Sequence, residues 1–178
     1  MQRFLSLTAL AATVVFAISL KLPLTHVSLA QVSPEQATPE QSPDPRIGEA
    51  LEALNLSYEI EDDGAYRVGL QFNDGRTQTA WISSRTNVIG PFEIRKIISP
   101  AYRSDEELSS EVANMLLQDT ARKKLGAWQT FSREQTHVAV FTAQINADSS
   151  AEELGVALSV VLQSADQMEE ELTNGDRF

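Results

Sequence analysis

Few side chains in this chain are equipped for chemistry. It contains no cysteine and two histidines, His26 and His137. Without thiolates there is no cysteine zinc set and no sulfur nucleophile. His137 is the one histidine left beyond the N-terminal region, and the elbow pattern Gly-x-Ser-x-Gly that would expose a serine beside it is absent from the sequence. His137 therefore reads as a partly exposed structural residue at the start of a strand. Glu59, Glu61, Asp62 and Asp63 offer the hard oxygens that calcium takes, but Gly64 is followed by a strand pattern and not by further ligands. That run reads as a solvated strand face and a turn, and no metal is expected. Paired carboxylates can hydrolyse a glycoside, yet nothing marks one pair among these acids. Gly64, Gly69 and Gly75 serve hairpins, not a phosphate loop. Arg122, Lys123 and Lys124 fall near the end of a helix, where cations suit the macrodipole. No cofactor and no catalytic residue is expected. Arg85, Tyr102 and Arg103, read as lying in loops that flank a strand, are the candidates for a partner-binding surface, because loops carry function and Tyr and Arg are enriched at binding hot spots. Trp81 and Trp128 read as core.

The elements that hold these residues are legible as periodicity. Asp44 and Pro45 suit the cap and first position of a helix on which Ile47, Ala50, Leu51 and Leu54 share a face. Leu56, Tyr58 and Ile60, then Tyr66, Val68, Leu70 and Phe72, alternate with polar residues at the period of half-buried strands. A three-residue loop, Asp62-Asp63-Gly64, sets Ile60 opposite Tyr66 and Tyr58 opposite Val68; a two-residue loop would turn the apolar faces away from each other. Asp74-Gly75 reads as a two-residue turn that sets Val68 opposite Trp81, Leu70 opposite Thr79 and Phe72 opposite Thr77. A fourth strand is expected over 92–99, with a bulge or double burial at Ile97-Ile98 and with Pro100 at its end or edge. Ser104 and Glu107 have capping-box spacing for a second helix over about 105–120, whose stripe is Leu108, Val112, Met115 and Leu116. Gly126 turns the chain into a strand over 127–133, and Glu134-Gln135 joins that to a strand over 137–145. In the latter, Val138 and Val140 compete with Phe141 and Ile145 for the buried face. The last helix opens at Ser149 with Glu152 or Ser150 with Glu153 and stops at Asn174-Gly175. Its stripe is Ala151, Leu154, Leu158, Val161, Ala165, Met168 and Leu172, with Ala157 and Val160 widening it. That stripe is expected to pack on the sheet, leaving exposed remnants for a dimer contact. The order is α-β-β-β-β-α-β-β-α. Hairpin connections make the sheet antiparallel with helices laid on it, an α+β domain.

Residues 4–20 form an uncharged, mostly apolar run after Arg3, and Ser28-Leu29-Ala30 offers small residues for a cut before Gln31. This is the layout of a signal peptide over 1–30, and it places the protein in the periplasm or outside the cell. An uncleaved anchor is the alternative, although 17 residues sit at the lower limit of a membrane span. The stretch QVSPEQATPEQSP reads as a disordered linker over 31–44, leaving a domain over 45–178. Removing Arg3 and Lys21 with the signal takes the formal charge from −11 to −13. Such a surface repels nucleic acid and anionic membranes, so neither is an expected partner. With no disulfide available, burial alone holds the domain together.

Several strings resemble the YbjN family: LEALNLSYEIEDDGAYRVGLQF at 51–72, WISSRT at 81–86, SPAYRSDEELSSEVANMLLQD at 99–119 and ARKKLGAWQ at 121–129. The Leu-Gly-x-Trp string at 125–128 is the most telling. The resemblance covers about residues 46–172 and implies a fold like that of type III secretion chaperones, a protein that often dimerises and binds polypeptide segments. These strings are structural and not catalytic. An N-terminal export signal departs from secretion chaperones, which act in the cytoplasm, so the fold is carried over and that role is not. The expectation is an exported, non-enzymatic, protein-binding or chaperone-like module whose partner is a protein or peptide, with a homodimer as one form. The alternatives are a hydrolase built on scattered acids and His137, and a small-ligand carrier, which needs a closed apolar pocket between helix and sheet.

Overall fold

The computed structural model describes residues 42–178. The expected signal over 1–30 lies outside the described residues, as does the linker over 31–44 except for its last three positions. The elements are α1 (Pro45–Ala53), β1 (Glu59–Ile60), β2 (Tyr66–Gln71), β3 (Thr77–Ile89), β4 (Phe92–Ser104), α2 (Ser110–Arg122), β5 (Ala127–Arg133), β6 (Thr136–Asn146) and α3 (Ala151–Thr173). The expected order holds, and the fold is α+β. All strands pair antiparallel in one sheet of order β1-β2-β3-β4-β6-β5.

One sheet face and three helices share a single core. Tyr66, Val68, Ala80, Ile82, Ile97, Phe141 and Ala143 meet Ile47 and Leu51 of α1, Leu116 of α2, and Leu154, Leu158, Val161, Ala165 and Met168 of α3. The α3 stripe is thus spent on its own sheet, as its width implies. Ser150 and Glu153 form the capping box of that helix, and Asn174 ends it in the left-handed region. In β6 the competition between faces is settled for Phe141, with Ala139 and Ala143 beside it; Val140 and Thr142 on the other face are also buried.

Both Asp-Gly hairpins use the same three-residue loop. Glu61 N–H donates to Ala65 O and Phe72 N–H to Arg76 O, with Gly64 and Gly75 at φ +79° and +91°. Asp63 and Asp74 each accept from the backbone N–H two residues on, at 3.0 Å. The first loop pairs Ile60 with Tyr66 as expected. The second corrects the two-residue reading: Val68 faces Ala80 and Leu70 faces Gln78, one residue from the expected register. Trp81 is thereby turned to the face opposite the helices, beside Arg67, where its indole N–H reaches Glu61 at 3.4 Å.

β4 is also longer than expected, running through Pro100 although it is a central strand. Proline has no N–H for the ladder. The gap is closed by side chains: Gln78 Nε2 donates to Pro100 O at 2.6 Å and to Ser99 Oγ at 2.9 Å, and Ser99 Oγ donates to Thr79 O at 2.6 Å. The irregularities fall at 82–86 in β3 and at 100–102 in β4, not at Ile97-Ile98. Because β4 consumes Ser104, α2 starts five residues later than expected, capped by Ser109 through Val112 N–H, while Ser104 Oγ accepts from Glu106 N–H.

Gln78 Oε1 and Glu169 Oε2 are buried acceptors without a hydrogen-bond partner. Burial pushes the Glu169 carboxyl above its ordinary value, against the pull of Arg177 N–H and Arg76. A raised carboxyl penalises the fold at pH values above its folded value and not below the unfolded 4.5. Glu169→Gln is therefore expected to stabilise the fold by about 1 kcal/mol at pH 7. Thermal melts at pH 7 and pH 4 test this; a gain of equal size at both would show that the charge is not its source.

Candidate functional site

Among the described residues, two exposed apolar surfaces stand out beyond the core. The first is a groove of about 580 Å³ lined by Leu54, Leu56, Leu70, Gly155, Val156 and Val160, with Leu158 at its floor and Glu152 on its rim. Local sequence explains its walls. α1 ends at Ala53, and Asn55 takes φ +55°, a left-handed value that asparagine tolerates. Leu54 and Leu56 are thereby left on either side of the reversal, and Leu56 N–H bonds back to Leu51 O at 3.0 Å. Gly155 on α3 admits the end of α1, since a Cβ there would lie 3.1 Å from Leu54 Cδ1. Val156, one residue on, is 58% exposed. The groove is open to solvent, so it is not the closed pocket a small-ligand carrier requires.

The second surface is the β3–β4 hairpin tip. Ile89 pairs with Phe92 across a turn at Gly90-Pro91. Val88, Ile89 and Phe92 are 73%, 62% and 61% exposed. Pairing of β2 with β3 stops at Ile82, and pairing of β6 with β4 stops at Ile94. The last turn of this ribbon therefore extends past its neighbours in the sheet.

A charge network fixes the root of that ribbon to α1. Arg95 is 2% exposed, and its guanidinium donates to Asp44 Oδ2 at 2.7 Å, Ser83 O at 3.1 Å and Ala147 O at 3.3 Å. Arg46 binds Asp44, Glu93 and Asp148. Asp44 N–H donates to Ser84 Oγ at 2.8 Å, and that hydroxyl donates to Gly64 O at 2.6 Å.

The residues singled out in the sequence do not converge. Arg85, Tyr102 and Arg103 lie in strands, not loops, because β3 and β4 each run 13 residues. Arg85 sits in the β3 irregularity, its N–H bonded to Ser83 Oγ at 3.1 Å. Tyr102 faces Ala139 and packs half-buried against the core. Arg103 faces Val138 and is exposed, beside Phe131, Arg133 and Phe178 in a groove of about 530 Å³. Thr86 pairs with Arg95, so eight residues of strand, about 26 Å, separate the neighbourhood of Arg85 from Arg103. His137 Nδ1 lies 2.9 Å from Ser132 Oγ, its cross-strand partner. Among the described residues no group of three or more His, Asp or Glu side chains is placed to hold a metal. The groove and the tip escaped the sequence reading, although Gly-Pro between Val-Ile and Phe is a visible turn signal.

No protein-family model matches the chain. No curated protein matches it. Among solved structures it is similar to YbjN from E. coli, at 10% identity and a TM-score of 0.43, covering 72% of this chain and 90% of that one.

Proposed function

We propose that this is an exported, non-enzymatic module that binds extended polypeptide segments along the groove between α1, β2 and α3. The groove carries the reading: it is concave and lined by leucine and valine, with an acidic rim. Apolar side chains of a bound segment give affinity there, as in other peptide-binding grooves. Glu152 and a net charge of −11 favour a segment flanked by Lys or Arg. The same kind of role is what the strings at 51–72 and 125–128 imply by their resemblance to the YbjN family.

Val156→Asp sets a charge on the groove without touching the core, so stability is expected to move by no more than about 0.5 kcal/mol. Fluorescence anisotropy with labelled apolar peptides bearing a basic flank is expected to show at least about tenfold weaker binding for this variant. Leu117→Asp, on the exposed side of α2, is the control and is expected to bind like the parent. Equal binding by parent and Val156→Asp would remove the groove from the function.

A further inference from the structure

The face of the sheet turned away from the helices carries a cluster of arginines. Ala139 and Phe141 of β6 point into the core, so Thr136 and Val138 point the other way. Val138 pairs with Arg103 of β4 on one side and with Phe131 of β5 on the other, and Thr136 pairs with Arg133. Paired residues share a face, so Arg103, Val138 and Phe131 form one row across three strands, and Arg133 stands in the next row. Two strand spacings across and two residues along put the Cα atoms of the two arginines about 12 Å apart. Two side chains of that length, so spaced, can close on one small molecule lying over Val138 and the half-exposed Phe131.

The C-terminal tail brings a third cation. Arg76 donates to Gly175 O at 2.7 Å, Thr77 N–H to Asp176 Oδ1 at 3.0 Å, and Arg177 N–H to Glu169 Oε1 at 2.6 Å. So held, Arg177 lines a second hollow of about 390 Å³ that shares Arg103 and Phe178 with the first. Elsewhere the arginines are already paired: Arg46, Arg67, Arg76 and Arg95 each bind a carboxylate. Glu134 and Asp105 stand on the rims of the two hollows, yet among the described residues no carboxylate lies within ion-pair distance of Arg103, Arg133 or Arg177.

We infer that this groove binds a small organic anion, a carboxylate or phosphate carried on a flat apolar body. Guanidinium forks match the paired oxygens of such a head group, and the floor of Phe131 and Val138 takes the body. A volume of about 530 Å³ is that of a small-molecule site. Charge-assisted bonds hold and orient an anion in an open groove, where an uncharged ligand needs enclosure. The anion is small because the rest of the molecule is acidic, with a net charge of −11. A polyanion would run from the arginines onto that repelling surface, whereas a small one sits within a screening length, about 8 Å, of the arginines. The site is separate from the groove between α1, β2 and α3 and does not rest on it.

The test uses protein expressed from the full 178-residue sequence. Titration with phenyl phosphate, followed by amide NMR, is expected to saturate with a dissociation constant of about 1 mM or below and to shift the signals of Arg103, Phe131 and Val138 first. Arg103→Gln and Arg133→Gln are each expected to raise that constant at least about tenfold. Lys124→Gln, which removes the same charge just beyond α2, is expected to bind like the parent. All three positions are exposed, so melting temperatures are expected to match the parent's and a lost site is not a lost fold. Phe131→Ala is expected to weaken phenyl phosphate about fivefold and to leave inorganic phosphate unchanged. Benzoate is the second probe: saturation by one aromatic anion and not the other supports the site and names its head group. Benzyl alcohol, which has the ring without the charge, is expected not to bind. No saturation by either aromatic anion at about 10 mM, or binding indifferent to Arg103→Gln and Arg133→Gln, overturns the inference. Inorganic phosphate bound as tightly as phenyl phosphate also overturns it, since the arginines would then be an ionic patch with no use for the apolar floor.

Discussion

Arg95→Ala is expected to lower the stability of the domain by about 3–5 kcal/mol, the usual cost of breaking a buried ion pair by removing one partner. For a domain of this size that is a fall in melting temperature of about 10–20 °C. Arg95 is the largest fully buried side chain, and its loss leaves Asp44 Oδ2, Ser83 O and Ala147 O without the donor they share. Those three acceptors belong to the α1 cap, to β3 and to the segment before α3, so one guanidinium joins three elements. Arg95→Met, which keeps most of the packing volume, separates charge from cavity. It is expected to remain at least about 2 kcal/mol below the parent. In the double variant Asp44→Asn/Arg95→Met the cost is expected to be less than the sum of the two single changes, because the contact between the two groups is then lost only once. Urea unfolding of all four proteins measures this. Additive costs would mean that Asp44 and Arg95 do not act as a pair.

The same network sets the response to acid. The Arg46 guanidinium, opposed by burial and helped by Arg95, holds the Asp44 carboxyl well below the usual carboxylate range. Arg46, then Thr86, lowers Glu93 to about 2. Both folded values are depressed relative to unfolded values of 3.8 and 4.5. The stability they contribute is therefore fully present above about pH 4.5 and is lost as pH falls towards 2. The melting temperature of the parent is expected to drop through that window. In Arg95→Ala the drop is shallower, since part of what depresses Asp44 is already gone. Melting curves recorded from pH 7 to pH 2 show whether the two lines converge.

How much of this was legible in the sequence depended on whether burial followed hydrophobicity. It did so in α3, where spacing, cap and stop residue all emerged, and in the β1–β2 hairpin, where Ile60 and Tyr66 could only face one another. It failed in β3. The core face of that strand is Gln78, Ala80, Ile82 and Ser84, two polar residues among four, while the largest apolar side chain, Trp81, points the other way. Gln78 and Ser84 are buried because they are hydrogen-bonded, to Pro100 O and Ser99 Oγ in one case and to Gly64 O and Asp44 N–H in the other. A count of apolar residues has no access to those partners, and a one-residue slip of register followed. Arg95 was hidden for the same reason: in sequence it is one cation in a strand, and only its three acceptors make it core. The groove was hidden because its walls come from α1, β2 and α3, elements far apart in the chain. The surface residues chosen by type, Arg85, Tyr102 and Arg103, were assigned to loops because the reading confined the fourth strand to 92–99 and left its flanks as loops, whereas β3 runs through Arg85 and β4 through Arg103.

The Leu-Gly-x-Trp string at 125–128 has a physical content that Gly126→Ala exposes. Gly126 sits at φ +84°, and a Cβ there would lie 2.6 Å from Phe141 Cε1 and 2.7 Å from Thr142 O. A side chain at that φ costs about 1–2 kcal/mol, and overpacking adds about 1–3 kcal/mol. The backbone oxygen cannot rotate away, so the expected loss is about 3–4 kcal/mol. Phe141 must shift, and it packs edge-on against Trp128 at 5.1 Å between ring centroids. Trp128 in turn ties the end of α2 to the sheet: its indole N–H donates to Asp119 Oδ2 at 2.8 Å, and its backbone N–H donates to Thr120 Oγ1 at 3.0 Å. Glycine, aromatic ring and tryptophan thus form one joint between α2, β5 and β6. Gly69→Ala is the comparison, because a Cβ there meets nothing within 4 Å, and it is expected to change stability by less than about 1 kcal/mol. Urea unfolding and near-ultraviolet circular dichroism of both variants distinguish a joint from a spacer. Loss of the tryptophan signal in Gly126→Ala, with peptide binding at the distant groove retained by the folded fraction, is the expected result. A melt within about 1 kcal/mol of the parent would mean that the close approach at Gly126 relaxes at little cost and that the string does not hold α2 in place.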